Sequence, residues 1–242
     1  MGRSLARRLA LRGETIVAVA RRKPLLDTLV DEITTAGGRA VAIECDVTDR
    51  SWVHVAVAEA ETLFGPIDRL IACAGGGERT NVETFDADHV NRVFAVNVMG
   101  TVHCIEAVLP AMLRRGSGQI VAVSSLAAKR GLPGAAAYSA AKAALSNMME
   151  SLRIDLGRRG VAVTLLCPGF VRTRLSAKKK FKPFQVELEG ATKLMCRAIV
   201  ARKKYYAFPG PLVLATGVGR MLPATLYDWL LSGAGTRSKR DA

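Results

Sequence analysis

The sequence predicts an α/β fold built on a doubly wound parallel sheet with helices on both faces. Three observations predict it. Short continuous apolar runs at 15–20, 40–45, 119–123 and 161–167 read as buried parallel strands, not as half-exposed alternating ones. Segments with apolar residues at helical spacing lie between them, so helix and strand alternate almost to the C-terminus. Turn residues mark the junctions, and no repeat or linker divides the chain, so residues 1–232 read as one domain followed by a disordered tail at 233–242.

In order, Arg3 to Leu11 reads as a helix with Leu5 and Leu9 on one face and Arg7, Arg8 and Arg12 outside, stopped by Gly13. The strand at 15–20 follows. Leu25 to Thr35 is amphipathic and ends at Gly37-Gly38, and the strand at 40–45 comes next. Ser51 reads as the N-cap of a helix to Phe64. Gly65-Pro66 turns the chain into a strand from Ile67 to Cys73, and a glycine-rich loop leads to a long helical region from Asp86 through Asn97 to Arg115. The strand at 119–123 runs into Ser124-Ser125, Tyr138 to Arg158 reads as a helix closed by Gly160, and the strand at 161–167 follows. Beyond Pro168-Gly169 the pattern changes: a basic irregular stretch, a helix over 184–202, a short strand at Tyr205 to Phe208, and an apolar segment at 211–231.

Length and composition bound the function. At 242 residues, half of them hydrophobic, the chain can bury one large core. Its five cysteines are scattered without metal-ligand spacing and read as reduced thiols, and no metal site is expected from them or from His54, His89 and His103. The formal charge of +14 fits solvated helix faces, an anionic cofactor or an anionic surface. A nucleic-acid partner is not expected, because the basic residues are spread along the chain without interleaved aromatics. Charged residues interrupt the first dozen positions, so no secretory leader is expected and the reading is cytoplasmic.

Ligands of open parallel sheets bind beyond the carboxyl ends of the strands. Asp46, the small run Cys73-Ala74-Gly75-Gly76, Ser125 and Pro168-Gly169 stand at successive strand ends, which argues for a cofactor cleft. Ser125 lies thirteen residues before Tyr138. If Tyr138 begins a helix, Lys142 at i+4 shares its face, where a cation favours the phenolate and draws down a phenol that ordinarily titrates near ~10. A tyrosine so tuned can give a proton to a carbonyl oxygen as hydride reaches the carbon.

These residues resemble the short-chain dehydrogenase/reductase family, from Gly2 to about Thr173. Tyr138, Lys142 and Ser125 match its Tyr-x-x-x-Lys and upstream serine, Asn97 its Asn-x-x-Gly, Asp46-Val47 the pair over the adenine, and Pro168-Gly169 with Thr173 the segment around the nicotinamide. Ala74-Gly75 retains half of the family's Asn-Asn-Ala-Gly, with both asparagines replaced. The resemblance implies a Rossmann-like, NAD(P)-dependent oxidoreductase that interconverts an alcohol and a ketone or aldehyde. It implies that Tyr138 is the general acid/base, that Lys142 lowers its pKa and holds the nicotinamide ribose, that Ser125 positions substrate and that Asn97 supports a proton-relaying water. It also implies a homo-oligomer.

Cofactor choice is read at the end of the first strand here, where Ala20 is followed by Arg21, Arg22 and Lys23 with no acid. Arginine pairs with a 2′-phosphate where a carboxylate repels it, so NADP is preferred to NAD, with Arg21 the first phosphate ligand and Arg22 the second. The family's first strand and the first two glycines of its phosphate loop have no counterpart; Gly2 aligns with the loop's last step. The expectation is therefore an N-terminally truncated Rossmann sheet in which two strands lack the neighbour between them. Two readings follow: an oxidoreductase whose natural chain is longer, or a non-catalytic relative that binds a ligand or partner on the same scaffold.

The segment 170–202 is expected to be a substrate flap, with Phe181 and Phe184 among lysines. The 211–231 segment, broken by Gly217, Gly219 and Pro223, reads either as a helical lid or subunit contact or as a peripheral membrane contact, and is too short and interrupted to span a bilayer. Either reading favours an apolar carbonyl or alcohol as substrate.

Overall fold

The computed structural model describes residues 1–173 and 182–236. Its elements follow the predicted alternation: α1 (Gly2–Ala10), β1 (Ile16–Ala20), α2 (Lys23–Thr35), β2 (Ala40–Glu44), α3 (Arg50–Phe64), β3 (Arg69–Ala72), α4 (Ala87–Phe94), α5 (Gly100–Arg115), β4 (Gly118–Val123), α6 (Ala136–Gly157), β5 (Val161–Pro168), α7 (Leu188–Val200), β6 (Tyr205–Phe208), α8 (Gly210–Met221) and α9 (Ala224–Thr236). Among the described residues every strand pair is parallel.

The strands form two sheets, β1–β2 and β3–β4–β5–β6. Among the described residues no ladder joins β1 to β3, in line with the expected pair of strands lacking a neighbour. The burial follows from this. Every residue of β4 is buried and β5 nearly so, whereas only Ala18 of β1 is buried and Val19 is 42% exposed. The apolar run at 15–20 was expected to be a buried strand; a ladder on one side alone leaves it half open. An ion pair between Arg69 and Glu14 joins the two sheets, and the same arginine donates to the buried Gln119 at 2.7 Å. Gln119 in turn donates to Thr164 at 2.9 Å and to the Ile199 carbonyl at 3.0 Å, so one amide ties β4, β5 and α7.

One face of the larger sheet packs on α5 and α6 through Ile105, Met112, Leu145 and Met149. The other packs on α1 and α7 through Leu5, Leu9, Met195 and Ile199. Ser4 and Arg8 of α1 hydrogen-bond Glu189 and Thr192 of α7, the first pair at 2.8 Å and 2.9 Å.

Several expectations need correction. The N-cap of α3 is Asp49, whose carboxylate accepts from Trp52 N at 2.9 Å; Ser51 lies inside the helix. The long helix over 86–115 is interrupted at Ala95–Met99 by a π-helical turn around Asn97. α6 begins at Ala136, two residues before Tyr138. The helix expected from 184 starts at Leu188, because Phe184 has a positive φ of 53° and Val186 pairs with Val171. One face of α7 is packed into the core, where Ala191, Met195 and Ile199 have no exposure, so this part of the expected flap is a docked helix. The tail expected to be disordered from 233 is helical to Thr236. Lys178 to Phe181 and residues 237–242 lie outside the described residues.

Candidate active site

The carboxyl ends of β3, β4 and β5 converge where the sequence placed its chemistry. Ser125, just past β4, caps a short 3₁₀ turn at Leu126–Ala128, its Oγ accepting from Ala127 N at 3.1 Å. Its O–H donates to the Tyr138 phenol oxygen. Tyr138 and Lys142 stand one turn apart on the first part of α6, with Lys142 Nζ 5.9 Å from the Tyr138 ring centroid.

Lys142 is 4% exposed, and its Nζ donates to the Val123 carbonyl at 2.9 Å. Burial draws its ammonium down to about 8. Burial also raises the Tyr138 phenol, with Ser125 beside it pulling the other way. The expectation that Lys142 lowers the phenol is thus not what dominates here: the ammonium is spent on a backbone carbonyl, and desolvation moves both groups toward neutrality.

Asn97 is fully buried in the π turn. Its Nδ2 donates to Gly76 O at 2.6 Å and to Val93 O at 2.8 Å, and its Oδ1 accepts from Gly76 N at 3.2 Å. Both amide protons go to backbone, so the side chain anchors the loop after β3. The loop needs to be small. A Cβ on Gly75 would lie 2.7 Å from Asn97 Oδ1 and 3.0 Å from Lys142 Nζ, and one on Gly77 would lie 2.9 Å from the Tyr138 ring. Gly75 therefore lies against Asn97 and Lys142.

Residues that sequence reasoning passed over hold this arrangement. Ser124 Oγ shares a hydrogen bond with Ser146 Oγ at 2.7 Å and donates to Lys142 O at 3.1 Å, fastening β4 to α6. Ser146 sits four residues beyond Lys142, a spacing that could have flagged it. Thr80 bridges the two site loops, accepting from Ala137 N at 3.2 Å while its own N–H donates to Gly134 O at 2.9 Å. No sequence signal marks that contact. Cys73 and Cys167 flank Lys142, and burial pushes the Cys167 thiol up to about 11.

At the other end of the cleft, Asp46 follows β2. Burial pushes its carboxyl up, but Thr48 N at 2.9 Å, the Thr48 hydroxyl at 2.8 Å and Arg21 together hold it below the usual carboxylate range. Arg21 reaches Asp46 at 3.5 Å with a guanidinium 69% exposed, and Arg22 is the exposed residue that precedes α2. The Val47 carbonyl lies 3.0 Å from His103 Nδ1, fixing the adjoining turn against α5. Gly2 is at the first turn of α1, where helix N–H groups favour anions. A Cβ there would lie 3.6 Å from Cys73 Sγ, so Gly2 bridges toward the Lys142 end. Pro168 ends β5, and Gly169 N donates to Phe208 O at 2.8 Å while α8 packs over it: a Cβ would meet Leu212 at 2.6 Å. Thr173 is the last described residue before 182.

On the sequence-based expectation, Arg21, Asp46 and Val47 would hold the adenosine of a nicotinamide dinucleotide and Tyr138, Lys142, Pro168 and Gly169 its nicotinamide half, with backbone N–H groups of the first turn of α1 at Gly2 open to its diphosphate.

Comparison with known proteins agrees. The family profile for short chain dehydrogenases matches residues 1–183. An uncharacterized oxidoreductase of Myxococcus xanthus is 42% identical over 231 residues, which cover 94% of this chain and 90% of that one. The ketoacyl reductase HetN of Nostoc is 34% identical over 74% of this chain, which spans 65% of that protein's length. A short-chain dehydrogenase from Streptomyces avermitilis superimposes with a TM-score of 0.80 at 29% identity, covering 97% of this chain and 94% of that one. An enzyme from Burkholderia phymatum in complex with NAD gives 0.81 at 27% identity over 89% and 86% of the two chains. Actinorhodin polyketide ketoreductase with NADPH gives 0.80 at 26%, over 87% and 92%. The chain belongs to the short-chain dehydrogenase family of NAD(P)-dependent oxidoreductases, which interconvert alcohols and carbonyl compounds.

Proposed function

We propose that this oxidoreductase prefers NADP, acts on an apolar alcohol or carbonyl compound, and uses Tyr138 as its general acid in reduction and general base in oxidation. The observation that carries the reading is the convergence of Tyr138, Lys142, Ser125 and the Gly75–Gly77 loop at adjoining strand ends. Bound cofactor supplies or accepts the hydride. The rest falls to side chains of this chain. Tyr138 Oη passes its proton to the substrate oxygen, and Ser125, whose hydroxyl is hydrogen-bonded to Tyr138, turns to hold that oxygen in place. Lys142 supports the resulting phenolate and the nicotinamide ribose. Asn97 acts as a positioning residue that fixes the loop beneath them.

The NADP preference rests on Arg21. No acid follows Ala20 in the turn to α2, and the exposed guanidinium is held only by a 3.5 Å contact to Asp46. It can turn to a 2′-phosphate at little cost, with Arg22 beside it. The apolar substrate is supported by Leu212 of α8, packed over Gly169 at the nicotinamide end.

Steady-state kinetics with NADPH and NADH test both parts. Arg21→Ala should raise the KM for NADPH about ten-fold or more and leave the KM for NADH unchanged. Tyr138→Phe should still bind NADPH, read by its fluorescence enhancement, while turnover falls about 10²- to 10⁴-fold. Full turnover by Tyr138→Phe would overturn the assignment of the general acid.

A further inference from the structure

The C-terminal helical pair is apolar, exposed and fastened to the site. α8 leaves Leu214 (70% exposed), Val218 (52%) and Met221 (86%) uncovered at positions i, i+4 and i+7, one face of the helix. α9 leaves Leu226, Trp229 (71%) and Leu230 uncovered in the same way. From Ala224 to Ser232 no residue of α9 is buried, although Asp228 is its one charged residue. A helix apolar around its circumference is stable where something covers it.

α9 is not a loose end. Arg130 Nη1 donates to Gly219 O at 2.5 Å and Leu222 O at 2.8 Å, capping the turn between the helices. Its guanidinium lies 3.8 Å from the Tyr227 ring centroid, and Tyr227 OH donates to Gly131 O at 2.8 Å. Lys129 Nζ reaches Val213 O at 3.4 Å. The segment that follows Ser125 thus grips the pair at its bend, while Leu212 packs on Gly169 at the other side of the site.

We propose that the exposed face of α8–α9 docks on the interface of an anionic lipid bilayer, with Arg130 holding it at the mouth of the active site. Charge favours this occupant: a chain of formal charge +14 is drawn to an anionic surface. Lys129, Arg130 and Arg220 adjoin the apolar face against the single acid Asp228. Trp229 and Tyr227 supply the aromatic anchors that settle at such interfaces. Thirteen residues of α9 extend about 20 Å, too short to cross a hydrocarbon core of about 30 Å, so the helix lies in the interface.

Co-sedimentation with vesicles of phosphatidylcholine alone, and of phosphatidylcholine with phosphatidylglycerol, tests the proposal at low and high salt. The wild-type protein should pellet with the anionic vesicles at low salt and be released by salt. The exposed double variant Met221→Ser/Trp229→Ser should bind them about ten-fold less or weaker. In a Trp52→Phe background, Trp229 fluorescence should shift to the blue on binding. NADPH-dependent reduction of a water-soluble ketone should be equal in wild type and double variant, which separates this surface from the catalytic reading above. Wild-type protein that stays in the supernatant with anionic vesicles overturns the proposal. So does a double variant that pellets equally, or one that converts a dimer to a monomer in sedimentation velocity, which would make the face a self-contact.

Discussion

Lys142 concentrates the physical conflict of the site in one side chain. Its ammonium is buried, satisfied by a single carbonyl, and its pKa is drawn down from the ordinary 10.5 to about 8. The sign follows from linkage. Between pH 8 and 10.5 the unfolded chain holds this proton and the folded chain does not, so the lysine's contribution to folding improves as pH rises through that window. Below pH 8 the folded state carries the full cost of a buried charge. Comparing thermal melts of wild type and Lys142→Met at pH 7 and pH 10 should therefore show wild type gaining on the variant as pH rises; a constant difference would refute it. Tyr138, Lys142 and Ser125 were legible in the sequence because their spacing survives any reasonable placement of one helix and one strand end. Ser124, Ser146 and Thr80 were not. Short hydroxyl side chains fit caps, turns and helix surfaces equally well, and only the approach of α6 to β4 and of one loop to another gives these three a task.

At the scale of elements, the helical region from 87 to 115 is the informative one. Sequence periodicity presents it as one long helix, and the run is apolar and long enough to pass a test for crossing a membrane. It is instead two core-packed helices joined by a π turn, with Ile105, Val108 and Met112 buried against the larger sheet. The π turn brings Asn97 into line with Gly76, and two hydrogen bonds between them then fix the loop that lies against Lys142 and Tyr138, while a third returns to Val93. Asn97→Ala would remove both hydrogen bonds to part-buried Gly76 and the one to Val93, so stability should fall by about 1–3 kcal/mol in urea unfolding. NADPH affinity should fall with it, as the Gly75–Gly77 loop loses its anchor. The N-cap of α3 taught the same lesson in small: Asp49 and Ser51 are both good caps by composition. The turn built by Asp46 and Thr48 decided between them by setting where the helix begins.

At the scale of the molecule, the sheet is divided, and the division sets a gradient of stability. β4 and β5 have partners on both sides and are sealed between helices, while β1 and β2 form a two-stranded ladder with exposed residues along it. A two-stranded ladder is marginal alone; here it draws its support from α1, α2 and α3 and from the Arg69–Glu14 pair. Hydrogen exchange should report this directly. Amides of β1 and β2 should exchange at least about ten-fold faster than those of β4 and β5, which should exchange near the rate of global unfolding. Equal protection across both sheets would show that the division carries no energetic weight.

The sequence alone determined the order of helices and strands, the parallel α/β class and the position of Ser125, Tyr138 and Lys142 at a strand end and the start of a helix. Those depend on local periodicity and on short spacings, which a chain expresses without its fold. Only the tertiary structure decided that Lys142 is bonded to a carbonyl, that Asn97 is an anchor, that one face of α7 is core, and that α9 is held by Arg130 yet left uncovered. Each of these depends on which surfaces meet, and burial and partnership are properties of pairs of elements that no single segment encodes.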